Sequence, residues 1–221
     1  MTGKLLNNEK KSNVAIQQDD QTFYEGLDGN RFVGKYREGL KDGPGKMFYA
    51  NGVRQEGVYK NDEVNGQGKL FFLGGSRFEG GFKDGQRNGA GKAFLANGDC
   101  FEGEYLHDEA NGAGIYSYTY GCRFEGKFKH GKRNGKGIMY QPDGNRFEGL
   151  YADDKANGQG TFLNSVNVIQ FEGEFRNGVA HGNCVQYFSD SDPVKVEYEN
   201  GFRIADDNEN VFKPPIIATD E

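Results

Sequence analysis

The chain has 221 residues, of which 35 are glycine, 18 phenylalanine and 12 tyrosine, and its formal net charge is −6. This charge argues against nucleic acid as a partner, because phosphate binding needs a basic face. No apolar run approaches the roughly 18 residues of a membrane span, and the N-terminus lacks the apolar core of a signal peptide. We therefore expect a cytoplasmic protein.

The two ends of the chain differ in composition from its middle. Residues 1–20 are polar and lack hydrophobic periodicity, so the sequence predicts a disordered N-terminal tail. Residues 204–221 are predicted to form an acidic C-terminal tail, in which Pro214 and Pro215 prevent a regular strand from continuing. Between them, residues 21–203 are expected to form one repeat domain.

A period of 23 residues organises this domain. The tetrapeptide Arg77-Phe78-Glu79-Gly80 returns with its glycine at positions 126 and 149, and the marker glycine recurs every 23 residues from Gly34 to Gly149. The next marker, Gly173, follows after 24 residues, which predicts a bulge or wider loop within 164–169. Such a period is typical of a repeat protein whose units are stabilised by their neighbours.

Each repeat is predicted to contain two short strands. The first, such as 78–82, alternates apolar and polar residues, which indicates a strand with one covered face. A loop is expected at 83–88, followed by a second strand that begins at Gly89 and ends at the Asn97-Gly98 turn. About seven such hairpins with degenerate cap strands predict an all-β fold, an elongated single-layer antiparallel meander.

The repeat unit resembles the MORN (membrane occupation and recognition nexus) repeat, which reads approximately YxGxWxxGxxxGxGxxxxxxG. Phe101-Glu102-Gly103-Glu104-Tyr105, followed by Asn111-Gly112-Ala113-Gly114, carries the resemblance, whereas Gln55 and Cys184 depart from it. Members of this family are scaffolds in ciliary radial spokes, parasite cytoskeletons and membrane junctions. The resemblance therefore implies a scaffold without catalytic domain or cofactor.

Aromatic residues two positions either side of the marker glycine are predicted on one face, where the glycines leave room for rings to lie over the backbone. Because one sheet cannot cover both of its faces, we expect an exposed groove for a helical or extended segment of a partner protein. The alternative is that the rings form the core. The predicted groove is lined by Tyr36, Tyr59, Phe82, Tyr105, Tyr116, Tyr118, Phe128, Tyr151 and Phe175.

Charged loops form a second candidate surface. Their acidic and basic residues alternate with a doubled period, and this predicted charged edge consists of Asp62, Glu63, Arg87, Asp108, Glu109, Lys132 and Arg133. The alternation has two explanations, namely mutual neutralisation of adjacent loops or a striped docking edge for a regular partner. The second explanation predicts that reversing Arg87 and Arg133 to glutamate leaves the fold intact.

No catalytic, cofactor or metal site is predicted. A column of glutamates recurs from unit to unit on the face opposite the rings, whereas an active site needs a unique constellation. The expected register places Glu56 opposite Lys69 and Glu79 opposite Lys92 as ordinary cross-strand charge pairs. The three cysteines lack metal-binding spacing, and the three histidines belong to different repeats.

The sequence thus favours a non-enzymatic scaffold in a cytoskeletal or ciliary assembly, such as a radial-spoke-like part of an axoneme. The alternative function is a peripheral membrane tether that binds phospholipid. The acidic net charge and the lack of a basic amphipathic helix or lipidation motif disfavour it. A homodimer formed through sheet edges is a further alternative for the assembly state.

Overall fold

The computed structural model of the protein describes residues 4–5, 14–18 and 21–204, and every regular element in these ranges is a β-strand. The chain divides into two compact units, Met1–Glu109 and Ala110–Glu221. The strands that begin in the first unit are β1 (Lys4–Leu5), β2 (Val14–Gln18), β3 (Gln21–Glu25), β4 (Arg31–Arg37), β5 (Leu40–Phe48), β6 (Arg54–Lys60), β7 (Glu63–Phe71), β8 (Arg77–Lys83), β9 (Gln86–Phe94), β10 (Cys100–Leu106) and β11 (Glu109–Ser117). From β1 to β10, each strand pairs antiparallel with the next.

The second unit repeats this arrangement. Its remaining strands are β12 (Arg123–Lys129), β13 (Lys132–Tyr140), β14 (Arg146–Ala152), β15 (Lys155–Leu163), β16 (Ile169–Arg176), β17 (Val179–Phe188), β18 (Ser191–Glu199) and β19 (Phe202–Arg203). From β11 to β19, each strand again pairs antiparallel with its successor. The predicted all-β antiparallel meander is confirmed.

Short turns at one end of the strands replace the predicted loops. Each is a two-residue turn with both residues at positive φ, which matches the twist of the flanking strands. These turns are Glu38-Gly39, Asn61-Asp62, Asp84-Gly85, His107-Asp108, His130-Gly131, Asp153-Asp154, Asn177-Gly178 and Asn200-Gly201. The predicted loop at 83–88 is therefore wrong, since β9 already begins at Gln86.

A bulge explains the difference. Gly80 pairs with Gly91 and Phe82 with Arg87, so β9 holds two more residues than β8 between these pairs. Gly89 lies within the extra length at a φ of +82°, a conformation that favours glycine. Residues 86–88 of the predicted loop are thus part of a bulged strand, and only residues 84 and 85 form the turn.

The predictions for the 24-residue step and for the chain ends agree with the structure only in part. Phe162 pairs with Phe171 while Leu163 pairs with Ile169, so the 24-residue step does produce a bulge, but at Gln170, one residue beyond the predicted range 164–169. Strand β2 pairs with β3 and lies inside the predicted tail 1–20, so sheet structure begins before residue 21. The rest of that tail, except β1, and residues 205–221 lie outside the described residues.

The core consists of aromatic rings packed over a row of glycines. In the first unit, Gly34, Gly45, Gly57, Gly68, Gly80, Gly91 and Gly103 are successive cross-strand partners. A Cβ atom at Gly80 would lie 2.7 Å from Cζ of Phe78, so the ring occupies the space that a side chain would need. The ring of Phe78 also makes edge contacts with Phe82 and Tyr105, at centroid distances of 5.4 and 4.8 Å. These glycines therefore bring the rings close enough to build a core on one sheet face.

Candidate binding surfaces

The predicted aromatic groove is the core of the protein. Tyr36 and Tyr116 are half-buried. The other seven predicted groove residues are buried, namely Tyr59, Phe82, Tyr105, Tyr118, Phe128, Tyr151 and Phe175. The groove prediction is corrected accordingly, and the alternative that the rings form the core is the one that the structure supports.

Basic side chains cover these rings, which explains how a single sheet buries them. Lys41 lies over the rings of Phe32 and Tyr59, with its Nζ 5.7 and 5.6 Å from their centroids. Arg87 lies in the same way over Phe78 and Tyr105, at 5.6 and 5.2 Å. A cation over an aromatic face is attracted by the ring quadrupole, so these residues contribute to the core.

Arg133 repeats this arrangement and corrects the predicted charged edge. Only 1% of the residue is exposed, and its guanidinium lies 5.7 Å from the ring centroids of both Phe124 and Tyr151. Its Nη1 donates a hydrogen bond to the Tyr118 hydroxyl at 3.2 Å. Replacing it with glutamate would place a carboxylate against these rings, so the reversed variant is expected to unfold rather than to retain its fold.

The rest of the predicted edge lies at or near the surface, and the two arginines of the edge pair with aspartates of neighbouring turns. Asp62, Glu63, Asp108, Glu109 and Lys132 are exposed, whereas Arg87 is half-buried. Arg87 Nε lies 3.2 Å from Asp108 Oδ1, and Arg133 Nε lies 3.4 Å from Asp154 Oδ1. Mutual neutralisation therefore explains the alternation of charge better than a striped docking edge does.

The doubled period has a structural cause in the two-residue turns. Their second residue alternates between glycine (Gly39, Gly85, Gly131) and aspartate (Asp62, Asp108, Asp154). Each of these carboxylates accepts a hydrogen bond from a backbone amide 21 residues earlier, namely that of Lys41, Arg87 or Arg133, at 2.7–2.9 Å. Other turns have glycine in place of the aspartate. The residue at the position equivalent to Lys41, Arg87 or Arg133 is then uncharged, namely Val64, Ala110 or Ala156. The structural unit is therefore a pair of hairpins.

The face opposite the rings carries the glutamate column. The predicted register is confirmed, because Glu56 lies opposite Lys69 and Glu79 opposite Lys92. The ion pairs, however, form with the lysine on the other neighbouring strand, Lys46 with Glu56 at 3.5 Å and Lys69 with Glu79 at 3.0 Å. In the first unit, this face thus carries solvent-screened charge pairs, each of which contributes little to stability.

The same face of the second unit has a different character, which the sequence analysis missed. Positions 46, 69 and 92 hold lysine, but the next two positions at the 23-residue spacing hold Ile115 and Ile138. Beside them lie Leu150 and two exposed lysines, Lys127 and Lys136. We call these five residues the isoleucine–lysine surface. Comparing the copies position by position would have found the switch from lysine to isoleucine.

Metal-binding groups and thiols were the remaining candidates for reactive sites. No group of three or more His, Cys, Asp or Glu residues within it could hold a metal ion. Burial raises the pKa of the thiols of Cys122 and Cys184, which makes them poor nucleophiles. A candidate membrane-spanning helix is absent from residues 4–5, 14–18 and 21–204, in which every regular element is a strand.

A family model for the MORN repeat matches six segments, which together cover more than half of the chain: residues 32–54, 78–100, 101–123, 124–146, 147–164 and 171–192. The chain belongs to the MORN repeat family. MORN repeats are in general non-enzymatic and serve as protein-binding scaffolds.

The MORN copy at residues 55–77 is unmatched and has the buried Gln55 where other copies have an aromatic residue. Its Oε1 accepts a hydrogen bond from the hydroxyl of Tyr49 at 3.1 Å, so the substitution is accommodated within the sheet.

Several solved structures are similar to this MORN protein. The TCP domain of SAS-4 (dCPAP) of Drosophila melanogaster, in complex with a proline-rich motif of Ana2, is 14% identical at a TM-score of 0.45, with 68% of this chain and 90% of that chain covered. The G-box domain of the microcephaly protein CPAP is 11% identical at a TM-score of 0.49, with 76% and 97% covered. The TCP10 domain of Danio rerio CPAP is 11% identical at 0.32, with 78% and 95% covered. No curated protein matches the chain. The family assignment therefore depends on the MORN repeats.

Proposed function

We propose that this protein is a non-enzymatic scaffold that holds a segment of a partner protein in a cytoskeletal or ciliary assembly, such as an axoneme. The observation that supports this most is the difference between the two faces of its sheet. The rings and glycines of one face are used in the core, whereas the opposite face carries side chains that vary from copy to copy. A regular frame with variable exposed positions suits the recognition of another chain.

Two further considerations support the class of partner. The net charge of −6 disfavours nucleic acid, and no group of three or more His, Cys, Asp or Glu residues in the described ranges could hold a metal ion. We also propose a cytoplasmic location on the cytoskeleton or the axoneme, which the resemblance to ciliary scaffolds supports. A helical or extended protein segment is therefore the partner that we propose.

The test combines location with capture. The full-length protein, expressed with a proximity-labelling tag in ciliated cells, is expected to label axonemal or other cytoskeletal proteins and to remain with detergent-extracted cytoskeletons. The tag alone serves as the control. Uniform labelling of soluble proteins, together with affinity capture that recovers no partner above that control, would contradict the proposal.

A peripheral membrane tether is the second candidate. One observation favours it, since Lys127, Lys129, Lys132 and Lys136 on hairpin β12–β13 are exposed and could attract anionic lipid. The acidic net charge of the whole chain opposes it. Sedimentation with phosphatidylserine vesicles at physiological salt distinguishes the two functions. Vesicle binding without any captured protein would favour the tether over the scaffold.

A further inference from the structure

We propose that the isoleucine–lysine surface of the second unit docks an acidic amphipathic helix of a partner protein. This inference rests on the proposed scaffold function and names the surface and the chemistry of the segment that it holds. The surface lies on the sheet face opposite the aromatic core, so it can be occupied without opening the fold.

The apolar part of this surface is set by strand register. Ile115 and Ile138 both lie opposite Glu125, one on each neighbouring strand, and Leu150 lies opposite Lys136. Ile115 is 38% exposed and Leu150 is 37% exposed, while Ile138 is half-buried. Ile115 and Ile138 stand where the first unit has lysines, and together with Leu150 they give this face three partly exposed branched aliphatic side chains that a partner could cover.

The charged part is basic and lacks acidic partners. Within the described part of the chain, no ion pair forms to Lys127, Lys129, Lys132 or Lys136. Lys129 and Lys132 also lie directly opposite each other, and such a pair of like charges weakens a sheet. In the hairpin β6–β7, by contrast, the corresponding pair is Lys60 with Glu63. The uncompensated charge therefore suits an acidic ligand.

The acidic residues nearby do not cancel this charge. Glu125 is bound by Arg123, whose Nη1 lies 2.7 Å from its Oε1, and accepts a hydrogen bond from the Tyr140 hydroxyl. Glu148 is bound by Arg146, whose Nε lies 2.6 Å from its Oε1. Both carboxylates are neutralised by arginines of their own strands, so the lysines remain available to a partner.

The spacing of the apolar residues fits a helix that crosses the strands. Ile115 and Ile138 lie two strands apart, a separation of about 10 Å. On an α-helix, residues i and i+7 point in the same direction and are about 10.5 Å apart. A helix along this line would place apolar residues on both isoleucines, and glutamates along its flank would face Lys127 and Lys136. The partner is therefore expected to have an apolar stripe with an acidic border.

The decisive test uses a synthetic peptide. A fluorescein-labelled helical peptide of about 18 residues, about 27 Å long, would carry leucines on one stripe and glutamates on one flank. Its binding to the full-length protein is measured by fluorescence anisotropy, and the same peptide with lysines in place of the glutamates is the comparison. We expect the acidic peptide to bind more tightly and its affinity to fall with added salt.

Two double variants test the two parts of the surface. Lys127→Glu/Lys136→Glu and Ile115→Ser/Ile138→Ser are each expected to weaken binding of the acidic peptide about tenfold or more. The matched control is Lys35→Glu/Lys83→Glu, which changes net charge equally and places one substitution at the position equivalent to Lys127 in the first unit. It is expected to bind like the wild type. Thermal melting identifies any variant that does not fold. If one of the two double variants of the surface fails to fold, the peptide affinity of the other one tests the proposal.

Several results would overturn the proposal. Equal binding of the acidic and basic peptides would contradict it. So would a loss of affinity in the control variant as large as that in Lys127→Glu/Lys136→Glu. Lysine-dependent binding to phosphatidylserine vesicles without peptide binding would assign the surface to lipid instead. Affinity capture separates this inference from the scaffold function: if wild type and Lys127→Glu/Lys136→Glu recover the same partners, only the surface is wrong. If the wild type recovers none, the scaffold function itself fails.

Discussion

Asp108 is joined to Arg87 by both backbone and side chain. Its Oδ1 accepts a hydrogen bond from the backbone amide of Arg87 at 2.9 Å and lies 3.2 Å from Nε of the same residue. Asp108 has a φ of +70°, which is unfavourable for a residue with a side chain. The contacts with Arg87 therefore offset a conformational strain that glycine would avoid.

This relationship predicts strong coupling between the two positions. Asp108→Gly removes the strain together with the contacts, so it is expected to lower the free energy of unfolding by less than about 1 kcal/mol. In an Arg87→Ala background, the same change is expected to be neutral or stabilising, because the double variant recreates the native combination of Ala110 with Gly131. A double-mutant cycle in urea should give a coupling energy of about 0.5–1 kcal/mol. Additive effects would contradict this account.

The packing of rings over glycines predicts unequal effects of alanine. At Gly80, the new Cβ would lie 2.5 Å from Cα of Gly91 and 2.7 Å from Cζ of Phe78, so Gly80→Ala is expected to destabilise the protein by about 1–3 kcal/mol. At Gly74, no atom lies within 4 Å, so Gly74→Ala is the matched control and should change stability by less than about 0.5 kcal/mol. Urea denaturation measures both. Equal effects at the two positions would show that the rings do not occupy the glycine row.

Two buried tyrosines are expected to respond in opposite directions to loss of the hydroxyl. The Tyr151 hydroxyl is buried and has no hydrogen-bond partner among the described residues, so Tyr151→Phe should be neutral or stabilising by up to about 1 kcal/mol. The Tyr198 hydroxyl accepts a bond from Nε2 of Gln186 at 2.8 Å, so Tyr198→Phe should destabilise by about 1 kcal/mol. Thermal melting of the two variants tests the difference. A loss of stability in Tyr151→Phe would indicate that its hydroxyl has a partner.

Stability is expected to fall at alkaline pH. Burial raises the pKa of Tyr105 to about 12 from the usual 10.0, although Arg87 partly opposes the shift. Above pH 10, the unfolded chain therefore loses the Tyr105 proton while the folded chain keeps it. The stabilisation is complete below pH 10 and is lost between pH 10 and about 12, by an amount on the order of 1 kcal/mol. Urea unfolding across this range should show a smaller loss in Tyr105→Phe than in the wild type, and an equal loss would exclude Tyr105 as the cause.

Much of the fold could be predicted because the period, the strands and the glycines agree. The position of Gly80 between Phe78 and Phe82 was enough to predict rings over a bare backbone. The turns were harder to predict, because a glycine such as Gly89 looks like the start of a strand although it lies at a bulge within one. Sequence spacing does not distinguish these uses, since the bulge depends on how the neighbouring strand pairs.

The candidate surfaces were less predictable for a physical reason. The burial of Tyr105 depends on Arg87, a residue from the preceding repeat whose guanidinium folds over the ring. A charged residue after a turn is typical of a solvated loop, so its place in the core is evident only from the packing. The isoleucine–lysine surface likewise required the strand register, although its residues stand out once the copies are aligned.

The alternation of Gly85, Asp108, Gly131 and Asp154 bears on how such a chain could change in length during evolution. Adding or removing one 23-residue copy would bring a glycine turn beside an arginine, or an aspartate turn beside an alanine, and would leave a charge without its counterpart. A step of 46 residues, the interval from Asp108 to Asp154, keeps every match. Gene duplication would therefore be tolerated most readily in pairs of hairpins, so viable homologues should tend to differ by even numbers of copies in this region.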